Sequence, residues 1–347
     1  MYGRKRSTLL EALLLVLSVL YRLGSGFRQM LYRYRILKSL SLPCKVISVG
    51  NITLGGTGKT PMVIAVARIL SAKRRHPVVV SRGYGRPDES KTLVVSDGQS
   101  VLVDAHTGGD EPVLIGSKLS GVPVIVGSRR FAAATYAIER FKPDTVILDD
   151  GFQHAKLKRD VDVVLIDAAD PFGNEKLFPA GILREPVASL RRAQAVIITR
   201  ANESPALELL KKRIRSFTQA RIFTSVIRPI DVINDLTGEV KPLSILRGQK
   251  VLAMSGIARP TSFAALLTSL GAAVAGEYIF PDHHVYRKTD LDLIFQRAAK
   301  DRVSMIITTE KDAVRLRDLR PAGVLSLRIE PEINEGLEWE MFLLNCL

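Results

Sequence analysis

The chain has 347 residues, a formal net charge of +15, 46% hydrophobic residues and 24% charged residues. That length suits about two domains, and so large an apolar fraction excludes a wholly disordered chain. The excess of cations narrows the expected partners to nucleic acid, a membrane surface or a phosphorylated ligand.

The charge is unevenly spread. The first 45 residues carry Arg4, Lys5, Arg6, Arg22, Arg28, Arg33, Arg35, Lys38 and Lys45 against Glu11 alone, a net +8. Nucleic-acid enzymes distribute such charge around a groove with stacking aromatics. Here it flanks the apolar run Leu9–Leu20, broken only by Glu11 and Ser18. Stretched from Ser7 to Leu23 the run reaches 17 residues, short of the ~20 of a spanning helix. Residues 27–38 then alternate bulky apolar groups with cations, a composition suited to an anionic bilayer surface. Residues 1–40 are therefore expected to form a membrane-associating helical segment. A secretory signal and a soluble helix packed on the body are the alternatives. Cations just after the apolar run and nucleotide chemistry downstream argue against the signal. Cys44 and Cys346, the two cysteines, read as ordinary thiols of a reducing compartment.

From Lys45 onward, short β-branched runs alternate with helical stretches. Strands are expected at Lys45–Val49, Pro77–Ser81, Leu93–Ser96, Val122–Val126, Thr145–Asp149, Val163–Asp167 and Ala195–Thr199, with helices at Pro61–Leu70, Pro112–Leu119 and Arg129–Arg140. Continuously apolar strands of this kind are buried on both faces of a parallel sheet. The fold class is thus α/β, a doubly wound, mostly parallel sheet of the P-loop NTPase kind over residues 41–220, with ligands beyond the strands' carboxyl ends. Residues 221–248 read as a strand-rich linker. Strand–helix alternation resumes at Lys250–Ser255, Ser262–Leu270, Glu277–Phe280, Asp290–Lys300 and Ser304–Thr308, giving a second, smaller α/β domain over residues 249–347.

The segment Val46–Met62 runs strand, glycine loop, helix. Glycines let backbone N–H groups turn inward around phosphate oxygens, and the helix points its positive end at the same place. The nucleotide loop is Thr53, Leu54, Gly55, Gly56, Thr57, Gly58, Lys59 and Thr60. Lys59 is expected on the β- and γ-phosphates of ATP, and the Thr60 hydroxyl on Mg²⁺. Pro61 suits a first helical turn. The strict motif has glycine where this chain has Thr53.

Such a loop needs a carboxylate at the end of a neighbouring strand. Asp149 and Asp150 stand there, and adjacent acids are most simply explained by a cation between them. His154 follows, either a ligand or substrate contact or a structural histidine. A GTPase reading lacks its base-reading motif, because Thr309-Glu-Lys-Asp312 has its lysine one place too late. Asp110, in Gly108-Gly-Asp-Glu-Pro112, is either a helix N-cap or a base for an acceptor hydroxyl. His283, in Pro281-Asp-His-His-Val-Tyr286, either decorates a loop or reaches the site when domains close. As Asp110 and His283 fall in different expected domains, their meeting requires a cleft between those domains.

Eight segments occur in order: the apolar basic N-terminus, Gly55-Gly-Thr-Gly-Lys-Thr-Pro61, Ser81-Arg-Gly-Tyr-Gly85, Gly109-Asp-Glu-Pro112, Asp149-Asp-Gly-Phe-Gln-His154, Pro179-Ala-Gly-Ile-Leu-Arg-Glu-Pro186, Phe280-Pro-Asp-His-His284 and Thr309-Glu-Lys-Asp312. Together they resemble the tetraacyldisaccharide 4'-kinase family, the lipid A 4'-kinases of Gram-negative bacteria. The family's looser phosphate loop tolerates the missing first glycine. The resemblance implies ATP- and Mg²⁺-dependent transfer to the 4'-hydroxyl of an acylated glucosamine disaccharide 1-phosphate, at the cytoplasmic face of the inner membrane. It implies an acylated lipid substrate and an anionic membrane surface as partners, with no nucleic acid and no obligate protein partner. It further implies Asp110 as base with His283 beside it, Asp149, Asp150 and Glu185 on the metal side, and Arg184 on phosphate or substrate.

Overall fold

The computed structural model describes residues 8–347. Arg4, Lys5 and Arg6 of the basic N-terminal region lie outside the described residues. In chain order the elements are α1 (Thr8–Arg33), β1 (Lys45–Asn51), α2 (Lys59–Ala72), β2 (Pro77–Ser81), β3 (Leu93–Ser96), α3 (Ala105–Gly108), α4 (Asp110–Lys118), β4 (Val124–Val126), α5 (Arg130–Phe141), β5 (Thr145–Asp149), β6 (Val161–Asp167), β7 (Ala195–Thr199), α6 (Leu207–Arg215) and β8 (Arg221–Ile233). They continue with β9 (Val240–Lys241), β10 (Lys250–Ser255), α7 (Pro260–Ser269), β11 (Ala273–Ile279), α8 (Lys288–Lys300), β12 (Met305–Thr309), α9 (Glu310–Leu316), β13 (Val324–Ile333) and α10 (Gly336–Asn345).

The chain divides into two compact units that are not consecutive in sequence. The first combines Met1–Arg82, Arg129–Val226 and Glu332–Leu347; the second combines Gly83–Ser128 and Ile227–Pro331. These differ from the consecutive boundaries read from the sequence. Residues 83–128 group with the second unit, and the C-terminal helix returns to the first. That return is driven by burial, since Trp339 of α10 is 1% exposed and packs edge-on to Phe223.

In the first unit the parallel strands run in the order β2, β5, β1, β6, β7 and the start of β8. Every residue of β5, β6 and β7 is buried, which explains why their sequences are continuously apolar rather than alternating. The central strand β1 lies between β5 and β6, and the chain leaves it for opposite sides, a topological switch point where ligands bind. A core including Ile52, Phe152, Phe172, Leu183 and Ile214 supports that end of the sheet.

The second unit has the parallel order β11, β10, β12, β13 and an antiparallel pair of β3 with β4. Its strands are clad by two apolar clusters, one built around Val251, Leu267 and Ile307, the other around Met254, Ile294 and Ile306.

The helix α1 is longer than its apolar run, with 26 residues. By length and composition it is able to cross a membrane. One side of it is tied to the first unit. Ser18 donates to the Leu177 carbonyl at 2.9 Å and Tyr21 to the Arg184 carbonyl at 3.0 Å. Leu9, Leu13, Val16, Val19, Leu20, Leu23 and Phe27 are left exposed, more contiguous apolar surface than a water-facing helix normally carries.

Candidate active site

The phosphate loop leaves β1 at the switch point. Before it turns, Thr53 forms an isolated antiparallel bridge with Leu183, flanked by bonds from the Leu54 N–H to the Ile182 carbonyl (2.7 Å) and from the Arg184 N–H to the Ile52 carbonyl (2.8 Å). Thr53 is therefore extended backbone, which any residue adopts. That is why this position does not require glycine. The turn itself is braced from behind. Asn51 Nδ2 donates to Thr57 Oγ1 (3.0 Å), Thr199 Oγ1 to the Thr57 carbonyl (3.2 Å), and Arg200 Nη2 to the Gly56 carbonyl (3.3 Å). Arg200 is in turn held by a buried ion pair with Asp167. With its carbonyls tied down, the loop's remaining amides are free to face an anion at the start of α2, where Lys59 and Thr60 sit.

Asp149 ends β5 in register with Val49, and its Oδ2 accepts from Ser81 Oγ at 2.8 Å. Asp150 turns out of the strand with φ +56° and donates its N–H to the Val49 carbonyl at 2.9 Å. Gly50 allows this close return, because a Cβ there would stand 2.7 Å from Phe152 Cβ. Two cations meet at Asp150. Arg184 Nη1 donates to both carboxylate oxygens at 2.9 and 2.7 Å, and Lys59 Nζ lies 3.7 Å from Oδ1. Burial works to raise the Asp150 pKa, but Lys59 and Arg184 outweigh it and keep the carboxylate ionised.

Glu185 is differently engaged. Its carboxylate takes Arg192 Nη2 at 2.5 Å, and burial raises its pKa despite that partner. Among the described residues no group of three or more His, Cys, Asp or Glu is placed to hold a metal. Mg²⁺ needs few protein ligands when phosphates and water complete its shell. Thr60 at the head of α2 and the strand-end pair Asp149 and Asp150 fit that modest requirement. His154 lies beyond them with Nε2 buried and unpartnered. Burial, aided by Arg130 and Arg159, pushes its pKa down to about 4, so the ring is neutral.

The second constellation lies within the second unit. Asp110 opens α4, preceded by Gly109 at φ +88°, a conformation that favours glycine. His283 Nδ1 lies 3.0 Å from Asp110 Oδ2. The two residues thus meet inside one unit, and no cleft between domains is needed to join them. The same oxygen accepts from Arg315 Nε (2.8 Å) and Nη2 (2.5 Å), while Oδ1 accepts from the Glu111 N–H (2.9 Å). Burial would raise the Asp110 pKa; His283, Lys311 and Arg315 overcome it and hold the carboxyl well below the usual range. So saturated a carboxylate is a weak base and a firm orienter. With the Nδ1 proton directed at Asp110, Nε2 is the accepting nitrogen, and in this structure it meets Lys311 Nζ at 3.3 Å.

The helix α9 assembles this cluster. Thr309 caps it, its hydroxyl accepting from the Asp312 N–H. Lys311 reaches Glu111 Oε1 (3.0 Å) and Asp282 Oδ1 (3.2 Å), so one ammonium ties the segments of Asp110 and His283 together. Asp312, with 0% exposure, accepts from the Gly256 N–H (3.1 Å), Tyr286 OH (2.9 Å) and Arg315 Nη1 (3.0 Å). Sequence reasoning does not single out Lys311, Asp312 and Arg315 as site residues, because Thr309–Asp312 by itself names no partner in the chain. Their signal was present in the four-residue step from Lys311 to Arg315, which places two cations on one helical face.

A parallel sheet with a phosphate loop at its switch point, a lysine beside strand-end carboxylates and a helix opening over the loop define a P-loop phosphotransferase. The family model of Tetraacyldisaccharide-1-P 4'-kinase matches residues 10–346. The chain belongs to that family. It is 41% identical over 344 residues to the tetraacyldisaccharide 4'-kinase of Syntrophus aciditrophicus, covering 95% of this chain and 92% of that one. It is 44% identical over 331 residues to that of Anaeromyxobacter sp., covering 94% and 89%. The crystal structure of LpxK from Aquifex aeolicus in complex with ATP superposes with a TM-score of 0.79 at 31% identity, covering 97% of this chain and 99% of that one.

Proposed function

We propose that this enzyme transfers the γ-phosphoryl group of ATP to the 4'-hydroxyl of a tetraacyl glucosamine disaccharide 1-phosphate, a step of lipid A biosynthesis. One observation carries the phosphoryl chemistry: Lys59 and Arg184 converge on Asp150 beside the braced phosphate loop. The acceptor follows from family membership over nearly the whole chain.

The loop amides of residues 55–58 and Lys59 bind the phosphates and offset charge as the phosphoryl group moves. Arg184, already beside Asp150, is within the same charge cluster and serves phosphate or substrate. Thr60 and the Asp149–Asp150 pair would hold Mg²⁺, which would supply further neutralisation of phosphate oxygens. Glu185, engaged by Arg192, positions the Arg184 loop rather than ligating the metal.

A sugar hydroxyl is a poor nucleophile, so its proton must be drawn off as the bond to phosphorus forms. His283 Nε2 takes that proton, exchanging its contact with Lys311 for the acceptor hydroxyl. Asp110 keeps the imidazole in the right tautomer and stabilises the imidazolium. This division of labour differs from Asp110 as the proton acceptor, because both Asp110 oxygens are already occupied by donors.

The acyl chains of the substrate stay in a bilayer. The exposed leucines of α1 and its following cations suit the cytoplasmic face of the inner membrane, where ATP is available. Purified protein with γ-labelled ATP and tetraacyldisaccharide 1-phosphate tests the reading. Label is expected in the lipid at the 4'-position; hydrolysis of ATP without labelled lipid would overturn it.

A further inference from the structure

From the Asp110 cluster, we infer that Arg315 is a positioning residue of the reaction, acting through Asp110 to set the pH at which the Asp110–His283 pair works. The inference rests on the proposed role of that pair.

The guanidinium is 7% exposed and every side of it is used. Nε and Nη2 both donate to Asp110 Oδ2, the oxygen that also meets His283 Nδ1. Nη1 donates to the Gly256 carbonyl at 2.9 Å and to Asp312 Oδ1 at 3.0 Å. Asp312 is anchored to Tyr286, three residues past His283. A buried chain of partners therefore runs from the His283 loop through Tyr286, Asp312 and Arg315 to Asp110, and back to His283. It closes on itself. Neither Asp110 nor His283 is able to shift without breaking a charge-assisted bond.

The electrostatic consequence has a definite sign. The groups facing the pair are Glu111 beside Asp110, Asp282 beside His283, Lys311 and Arg315 from α9, and the Tyr84 ring 6.0 Å from the imidazole. Lys311 is balanced by two carboxylates, Glu111 and Asp282. Arg315, itself paired with Asp312, bonds Asp110 directly and so acts on the pair through the carboxylate, while Lys311 meets the imidazole. Removing it makes a proton easier to add both to the Asp110 carboxylate and to the imidazole that Asp110 stabilises. Whichever member holds the proton, the acid limb of activity moves to higher pH.

The test is a pH profile of kcat/KM with saturating ATP for wild type, Arg315→Lys and Arg315→Met, each shown to be folded by its cooperative melt and to bind ATP. Lysine keeps one charge and loses the fork, so its kcat/KM falls modestly and its acid limb shifts slightly upward. Methionine gives a larger upward shift and a loss on the order of tenfold to a hundredfold, the usual effect of removing a residue behind a catalytic group. In an Asp110→Asn background, where there is no carboxylate to position, Arg315→Lys should cost almost nothing further. An unmoved acid limb in both Arg315 variants, or losses that multiply in the Asp110→Asn background, overturns the assignment. If methionine prevents folding, the lysine profile alone decides. These outcomes are distinct from failure of the proposed function, in which the wild-type enzyme labels no lipid or Asp110→Asn leaves its turnover unchanged.

Discussion

Asp150 in the first unit and Asp110 in the second are both carboxylates kept ionised with the help of a nearby lysine and arginine, yet they are built for different work. The Asp150 side chain keeps 30% exposure, and its lysine stands on a glycine loop at 3.7 Å. Incoming phosphate or metal is able to redistribute those contacts. The Asp110 side chain is 9% exposed, and both oxygens are filled by donors from its own unit. An open charge cluster exchanges partners with a ligand; a closed one holds a neighbour still. The first suits binding of the transferring group, the second suits holding the His283 imidazole.

Four perturbations sharpen this contrast. The largest effect is expected in the open cluster. Lys59→Ala removes a cation whose role grows as charge moves, and turnover should fall on the order of a hundredfold or more with folding intact. Near-normal turnover in a folded Lys59→Ala enzyme would reduce the loop to a structural turn.

In the closed cluster, Asp110→Ala and His283→Ala should each cost on the order of a hundredfold in kcat while ATP affinity stays near wild type. The double variant should be little worse than either single one, since members of one unit are not additive. Independent, multiplying losses would show that the 3.0 Å contact is only structural.

Asp150→Asn probes exchangeability directly. The variant should need more Mg²⁺ and lose on the order of tenfold in turnover. A Mg²⁺ titration superimposable on wild type would leave Asp149 and Thr60 as the metal side.

The smallest effect belongs to His154, which lies outside both clusters. Its folded pKa is about 4 against an ordinary 6.5, so the unfolded chain binds the proton more readily. Stability from this group is intact above pH 6.5 and is lost as pH falls toward 4, on the order of 1–3 kcal/mol. Denaturation midpoints measured across that window should slope less steeply for His154→Gln than for wild type. Equal slopes would show that the ring titrates normally.

The two clusters also differ in how readable they were. Lys59, Thr60, Asp149 and Asp150 could be placed from Val46–Met62 and Thr145–His154 because each signal is short-range: a strand, a glycine turn, a helix start. Even Thr53, which departs from the strict motif, kept the strand–loop–helix order around it. Asp110 and His283 were recognised as chemical candidates, but their distance in sequence suggested separate domains. The regrouping of residues 83–128 with the later strands reversed that expectation. Arg315, 205 positions from Asp110, carried no sign of its partner.

By itself, then, the order of residues determined the alternating α/β elements, the phosphate loop, the strand-end acids and an apolar basic helix at the start. Those features rest on hydrogen bonds and periodicities spanning a few residues, which side-chain type specifies locally. Tertiary structure alone decided that Asp110, His283, Lys311 and Arg315 stand together, that Arg184 rather than a third acid flanks Asp150, and that α10 returns to the first unit. Those choices come from burial. A charge taken out of water needs a partner wherever the fold supplies one, and the pairing of α4, the His283 loop and α9 is known only once their surfaces have packed.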